Sequence, residues 1–187
     1  MSILNFQKPD KILLQKATDF HGQFEFKPLE PGFGQTIGNS LRRILLSSLE
    51  GYAISAIRIA GVDHEFSSIP GVVEDVVDII LNIKQIRLKS AVKGDKATEH
   101  QIYITISGQD EFRAKDIESR TNMFKVMNPE LLICKMEPSV NLELEMTITK
   151  GRGYVPAEEN MPENAPIGVI PVDAIYTPLK KVSYHVS

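Results

Sequence analysis

Gly32, Gly34 and Gly38 open a strongly periodic segment, PGFGQTIGNSLRRILLSSLEG, over residues 31–51. A glycine-rich turn ahead of a helix can present backbone N–H groups to a phosphate. The spacing here is G-x-G-x-x-x-G. The dinucleotide fingerprint needs glycine at position 37, where Ile37 stands. The P-loop string G-x-x-x-x-G-K-[ST] does not occur in this loop. The preceding QFEFK is short and alternating, unlike a buried parallel strand. A phosphate-binding enzyme is therefore the weaker reading, and close packing against a helix start is the favoured use of these glycines.

Other residues with chemical potential are scattered. His64-Glu65-Phe66 sets a base beside a carboxylate, with no serine–base arrangement or second metal ligand apparent nearby in sequence. A polar loop or strand end is its simpler use. Glu74, Asp75 and Asp78 together could ligate a cation, against the default of a solvated stripe. The single cysteine, Cys134, excludes an internal disulfide and any multi-cysteine metal site. It lies in the apolar run LLICKM and reads as a buried, inert thiol. Arg42 and Arg43 are the one basic pair that invites nucleic acid, on a chain of net charge −3. No catalytic, cofactor or metal constellation emerges.

The elements that position these residues follow from periodicity. Ile37, Leu41, Ile44, Leu45 and Leu49 have helical spacing, which predicts a helix over 35–50 closed by Gly51. At 100° per residue, Ile37, Leu41, Ile44, Leu45 and Ser48 share one side. Leu46 projects nearly opposite, beside Asn39, Arg42 and Arg43, and Gly38 between the faces permits close approach. Burying the leucines and isoleucines of this segment is worth roughly 1.5–3 kcal/mol each as an upper bound, which a lone surface helix would largely forfeit. Two readings stay open: a helix buried on both sides within one domain, or one face on the home core and a second for other chains.

Residues 11–17 and 23–27 read as a hairpin turning at 19–22, and 52–60 as a further strand. Residues 71–84 read as a second helix, with Glu74, Asp75, Asp78 and Asn82 as its polar stripe and the rest apolar. From 85 to 149 the chain is β-rich. Ile102, Ile104 and Ile106 alternate, as do Val140, Leu142, Leu144, Met146 and Ile148. Residues 94–99 and Asn128-Pro129 read as turns, and residues 107–130 are more polar. Gly151 to Pro156 breaks the long strand, an acidic surface loop follows, and 167–175 and 180–186 read as final strands.

Apolar residues make 42% of the chain and charged residues 24%, ordinary for a globular protein. No apolar run approaches the roughly 18 residues of a membrane span, and MSILNFQKPDK carries no apolar signal core. A soluble, cytoplasmic α+β protein is expected.

The string LEPGFGQTIGNSLRRILLSSLEGYAI closely resembles the defining segment of the bacterial RNA polymerase alpha subunit N-terminal domain. HEFSSIPGVVEDVVDIILNIK, GRGYVPAEEN and PIGVIPVDAIYTPLKKVSYHV extend the resemblance over nearly the whole chain. It implies a non-catalytic assembly subunit that dimerises and scaffolds the beta and beta-prime subunits, without a cofactor or direct nucleic-acid contact in this region. It implies two lobes: residues 1–50 and 176–187 for dimerisation and assembly, with 51–175 inserted as a β-rich lobe; the pattern alone also allows one α+β domain. Carried over position by position, Phe33, Ile37, Leu41 and Leu45 fall at the dimer core. Arg42, Arg43, Leu46, His64, Glu65 and Phe66 fall at the beta contact, and Lys84 and Val172 near the beta-prime contact. For Lys84, a side chain snorkelling from a helix end is an equal alternative. Chains of that family continue past the position of Ser187 with a helix at the dimer interface, a flexible linker and a DNA-binding domain. The sequence is thus expected to be a piece of a longer chain.

Overall fold

A computed structural model of the chain describes residues 9–92, 94, 97–161 and 165–187. The chain divides into two compact units, one ending at Leu45 and rejoined by Lys181–Ser187, the other Leu46–Lys180. Part of the expected 94–99 turn and residues 162–164 of the acidic loop lie outside the described residues.

The first unit opens with the expected hairpin, β1 (Lys11–Ala17) against β2 (Gly22–Lys27). Ile12 stands opposite Phe26 and Leu14 opposite Phe24, so one face of the ribbon is apolar. That face is open: Leu14 and Phe24 are each 58% exposed. Glu25 accepts from Lys27 and Gln15, and these bonds hold its carboxyl below the usual carboxylate range. Helix α1 (Phe33–Ser47) follows. It starts two residues before the expected boundary and ends three before it. Gly51 is no helix cap; it lies inside the next strand.

The terminal segment is not the strand its alternation suggests. Residues 181–187 are extended but unpaired with any strand, and they lie along α1. A Cβ on Gly38 would stand 2.4 Å from the Tyr184 ring, and one on Gly34 2.7 Å from Val186. Four helical residues rise about 6 Å and two extended residues span about 6.6 Å, so two glycines one turn apart receive alternate side chains of an extended chain. The Gln35 amide donates to the Tyr184 hydroxyl at 3.1 Å, and Arg42 Nε donates to the Val182 carbonyl at 3.0 Å. The expected close packing is therefore observed at Gly34 and Gly38; Gly32 has nothing within 4 Å of a Cβ and serves the turn through its φ of +87°.

The second unit is built on a sheet ordered β5 (Glu99–Ser107), β9 (Asn141–Arg152), β3 (Glu50–Ile59), β4 (Leu88–Ser90), β7 (Phe124–Val126), with β11 (Val169–Pro171) also on β3. All its pairings are antiparallel. Ile102, Ile104 and Ile106 and Leu142, Leu144, Met146 and Ile148 are buried as their alternation requires. A bulge at Ser55 shifts β3, which is why Ile54 and Ile57, three apart, both enter the core. The long strand does not break at Gly151; Glu50 still pairs Arg152, and the chain turns only at Gly153, with φ +67°.

Helix α2 (Val76–Ile83) covers the core with Val76, Ile79 and Ile83. It is shorter than the expected 71–84 span. Asp75 caps it, accepting from Asp78 N at 2.9 Å. Residues 72–74 instead pair with 135–136: Val73 N donates to the Lys135 carbonyl, and Lys135 N donates to the Glu74 carboxylate. The β-branched Val72 and Val73 thus follow their extended preference. Helix α3 (Ala114–Arg120) is a second difference, inside a stretch that read only as polar. Asp116 accepts from Arg113 N at its start, and Ala114 and Ile117 are buried. A small sheet of β6 (Glu111–Arg113) and β8 (Leu132–Lys135) completes this layer with Phe112, Ile133 and Cys134.

The expected strand 167–175 is two pieces. β11 serves β3, while β12 (Ala174–Ile175) pairs β10 (Tyr154–Val155). Helix α4 (Ala157–Asn160) stands at the start of the acidic loop.

Candidate subunit interface

Helix α1 has no fully buried residue. Ile37, Leu41 and Leu45 are half-buried, Phe33 is exposed, and Ile44 is 54% exposed. The terminal segment occupies the glycine positions and leaves much of the apolar surface open. Arg42 and Arg43 are both exposed, and Arg42 Nε donates to the Val182 carbonyl. Leu46 is half-buried.

His64, Glu65 and Phe66 form a turn. Ser67 N donates to the His64 carbonyl, and the Ser67 hydroxyl lies 3.2 Å from His64 Nδ1. This serine–histidine contact escaped the sequence reading. It differs from a hydrolytic triad, in which Nε2 meets the serine and Nδ1–H meets a carboxylate. His64 is exposed and Ser67 half-buried, and the contact staples the turn. Phe66 projects from it at 81% exposure. The Ser67 carbonyl accepts from Val76 N, which ties this turn to the start of α2.

Lys84, at the end of α2, is 3.5 Å from Asp173. Asp173 also accepts from Ala157 N at 3.0 Å, and it bonds the Tyr154 hydroxyl. Asp173 is the residue that sequence reasoning missed here. Val172, expected near the beta-prime contact, is 1% exposed and packed in the core. Alternation places Asp173 outward in its stead. Burial and the neighbouring Asp173 raise the Tyr154 phenol above its ordinary value.

The remaining chemical candidates resolve into structural uses. Asp75 caps a helix, Glu74 accepts a backbone N–H, and Asn82 donates to the Ile133 carbonyl. Among the described residues no group of three or more His, Cys, Asp or Glu is placed to hold a metal. Burial, and then the charge of Glu74, push the Cys134 thiol up to about 12. Among the described residues no helix is long and apolar enough to cross a membrane.

These features define an α+β protein whose candidate site is a set of exposed apolar and basic surfaces. Residues 57–177 match the family described as RNA polymerase Rpb3/RpoA insert domain, and the chain belongs to that family. It is 57% identical to the DNA-directed RNA polymerase subunit alpha of Cytophaga hutchinsonii, 56% to that of Flavobacterium psychrophilum and 55% to that of Bacteroides fragilis. Each similarity covers the whole of this chain, which spans 56% of the length of those relatives.

Proposed function

We infer that this chain serves bacterial transcription as a non-catalytic assembly subunit of a DNA-directed RNA polymerase, dimerising and scaffolding the beta and beta-prime subunits in the cytoplasm. The observation that carries the reading is α1: a helix with an apolar face and no fully buried residue, in a unit whose hairpin also exposes Ile12, Leu14 and Phe24. Surfaces of that kind mark sites where other chains bind. Relatives named DNA-directed RNA polymerase subunit alpha support reading those chains as polymerase subunits.

In this reading the first unit, with residues near it on α1, is the dimerisation and assembly lobe and the second is the inserted lobe. Phe33, Ile37, Leu41 and Leu45 face a second copy. Arg42, Arg43, Leu46 and the His64-Glu65-Phe66 turn face the beta subunit. Lys84, paired with Asp173, faces beta-prime. Polymer synthesis belongs to the large chains, and no metal or cofactor is assigned to this one.

Affinity capture of the full-length tagged protein from its own cells tests this. Two very large chains in defined ratio, identified by mass, support the reading. Their consistent absence, or capture of a small nucleotide-dependent partner instead, overturns it and reopens the glycine turn.

A further inference from the structure

The outward face of β4 and β7 carries cations and methionines. Lys89 stands directly opposite Lys125 across this antiparallel pair. Met127 N donates to the Arg87 carbonyl at 2.8 Å and Ala91 N to the Met123 carbonyl at 2.9 Å, which extends the register at both ends. Residues two apart in a strand share a face. Met123, Lys125 and Met127 therefore stand on the same side as Arg87, Lys89 and Ala91. Leu88, Phe124 and Val126 point the other way, into the core.

Like charges directly opposite each other weaken an antiparallel pair. Both lysines are exposed, and among the described residues neither ammonium has an ion-pair partner. Met123 is 37% and Met127 50% exposed beside them. Folding gains nothing from this arrangement, whereas a ligand with two carboxylates would turn the repulsion into attraction.

We propose that the β4–β7 face docks an acidic segment of another protein, its carboxylates bridging Lys89 and Lys125 and an apolar side chain lying against Met123 or Met127. Methionine is adaptable and polarisable, which suits it to such contacts. The segment is read across the face and does not add as a strand, because the Glu118 carboxylate already accepts Val126 N at 2.9 Å on the outer edge of β7. Protein fits better than nucleic acid. The patch holds only two exposed cations on a chain of net charge −3, and a phosphate backbone has no apolar group for the methionines. The inference stands apart from the proposed function and from the surfaces assigned there.

The test uses the full-length protein and a short fluorescein-labelled peptide of repeated Asp-Asp-Leu units, followed by anisotropy. Saturable binding is expected, and about tenfold or greater weakening by Lys89→Glu or Lys125→Glu. Each single reversal also places Glu opposite Lys, so the thermal midpoint is expected to rise while binding is lost. A merely structural lysine would show the opposite sign. Lys125→Gln serves as a second variant, expected to weaken binding with a smaller gain in midpoint. No saturable binding, binding indifferent to these variants, or Lys89-dependent binding of duplex DNA in preference to the peptide overturns the proposal.

Discussion

Gly51 and Gly151 stand opposite each other across β3 and β9, and Tyr176 occupies the slot their missing side chains leave. A Cβ on Gly51 would lie 1.9 Å from the Tyr176 carbonyl oxygen; one on Gly151 would lie 2.6 Å from the Tyr176 ring. The ring hydroxyl shares a 2.6 Å hydrogen bond with Thr149 on the same strand as Gly151. Neither glycine has positive φ, so both are required by space and not by backbone conformation.

The two positions should respond unequally. Backbone cannot swing aside as a ring can, so Gly51→Ala is expected to cost about 3 kcal/mol or more and Gly151→Ala about 1–2 kcal/mol, the range of overpacking. Tyr176→Phe keeps the packing and loses the hydroxyl bond, for about 1 kcal/mol. Denaturant unfolding of the three variants gives the order, and equal costs for the two alanines would contradict the slot.

At α2 the expectation concerns a boundary. Asp75→Ala removes the cap on Asp78 N and should cost about 1 kcal/mol. Were the helix to run from 71, Asp75 would be an interior residue and alanine would be neutral or favourable. Chemical denaturation of this one variant distinguishes the two.

Why that boundary and others were illegible in sequence is physical. The alternation of β5 and β9 was readable because one face of each is buried and a slip would expose it. Val72 and Val73 lie at the join of a strand-like and a helical pattern, where the apolar residues fit both periods; tertiary pairing with 135–136 decides for extension. Helix α3 buries only Ala114 and Ile117, too few to mark a period. Val182, Tyr184 and Val186 alternate because of glycines on a helix more than a hundred positions away, not because of a sheet. At the candidate interface, α1 announced its apolar face by spacing, but the assignment of partners came from resemblance. Position-by-position transfer could not see that Val172 points inward and Asp173 outward.

Cys134 predicts a pH dependence. Its thiol ionises near 9.0 when unfolded and at about 12 when folded, because burial disfavours the thiolate. The unfolded chain therefore loses a proton first as pH rises. The stabilisation is fully present below pH 9 and is lost between 9 and about 12, at a limiting slope of about 1.4 kcal/mol per pH unit. Cys134→Ala should remove this component of the alkaline loss. Native protein should also resist thiol reagents at mildly alkaline pH until it is unfolded; rapid native labelling would place the thiol in a different environment.

Arg42 and Arg43 are neighbours in sequence with different work to do. Arg42 Nε donates to the Val182 carbonyl and so holds the terminal segment along α1, where Tyr184 and Val186 meet Gly38 and Gly34. Arg42→Ala should therefore cost about 1 kcal/mol of stability. Arg43 is also exposed on α1, and the fork of a guanidinium suits a partner's carboxylates or carbonyls. Arg43→Ala is expected to leave the unfolding midpoint nearly unchanged while weakening capture of the large beta chain. Measured together, thermal unfolding and capture separate the two roles. A large loss of stability in Arg43→Ala with capture intact would make Arg43 a structural residue and move the partner-facing surface to another side of α1.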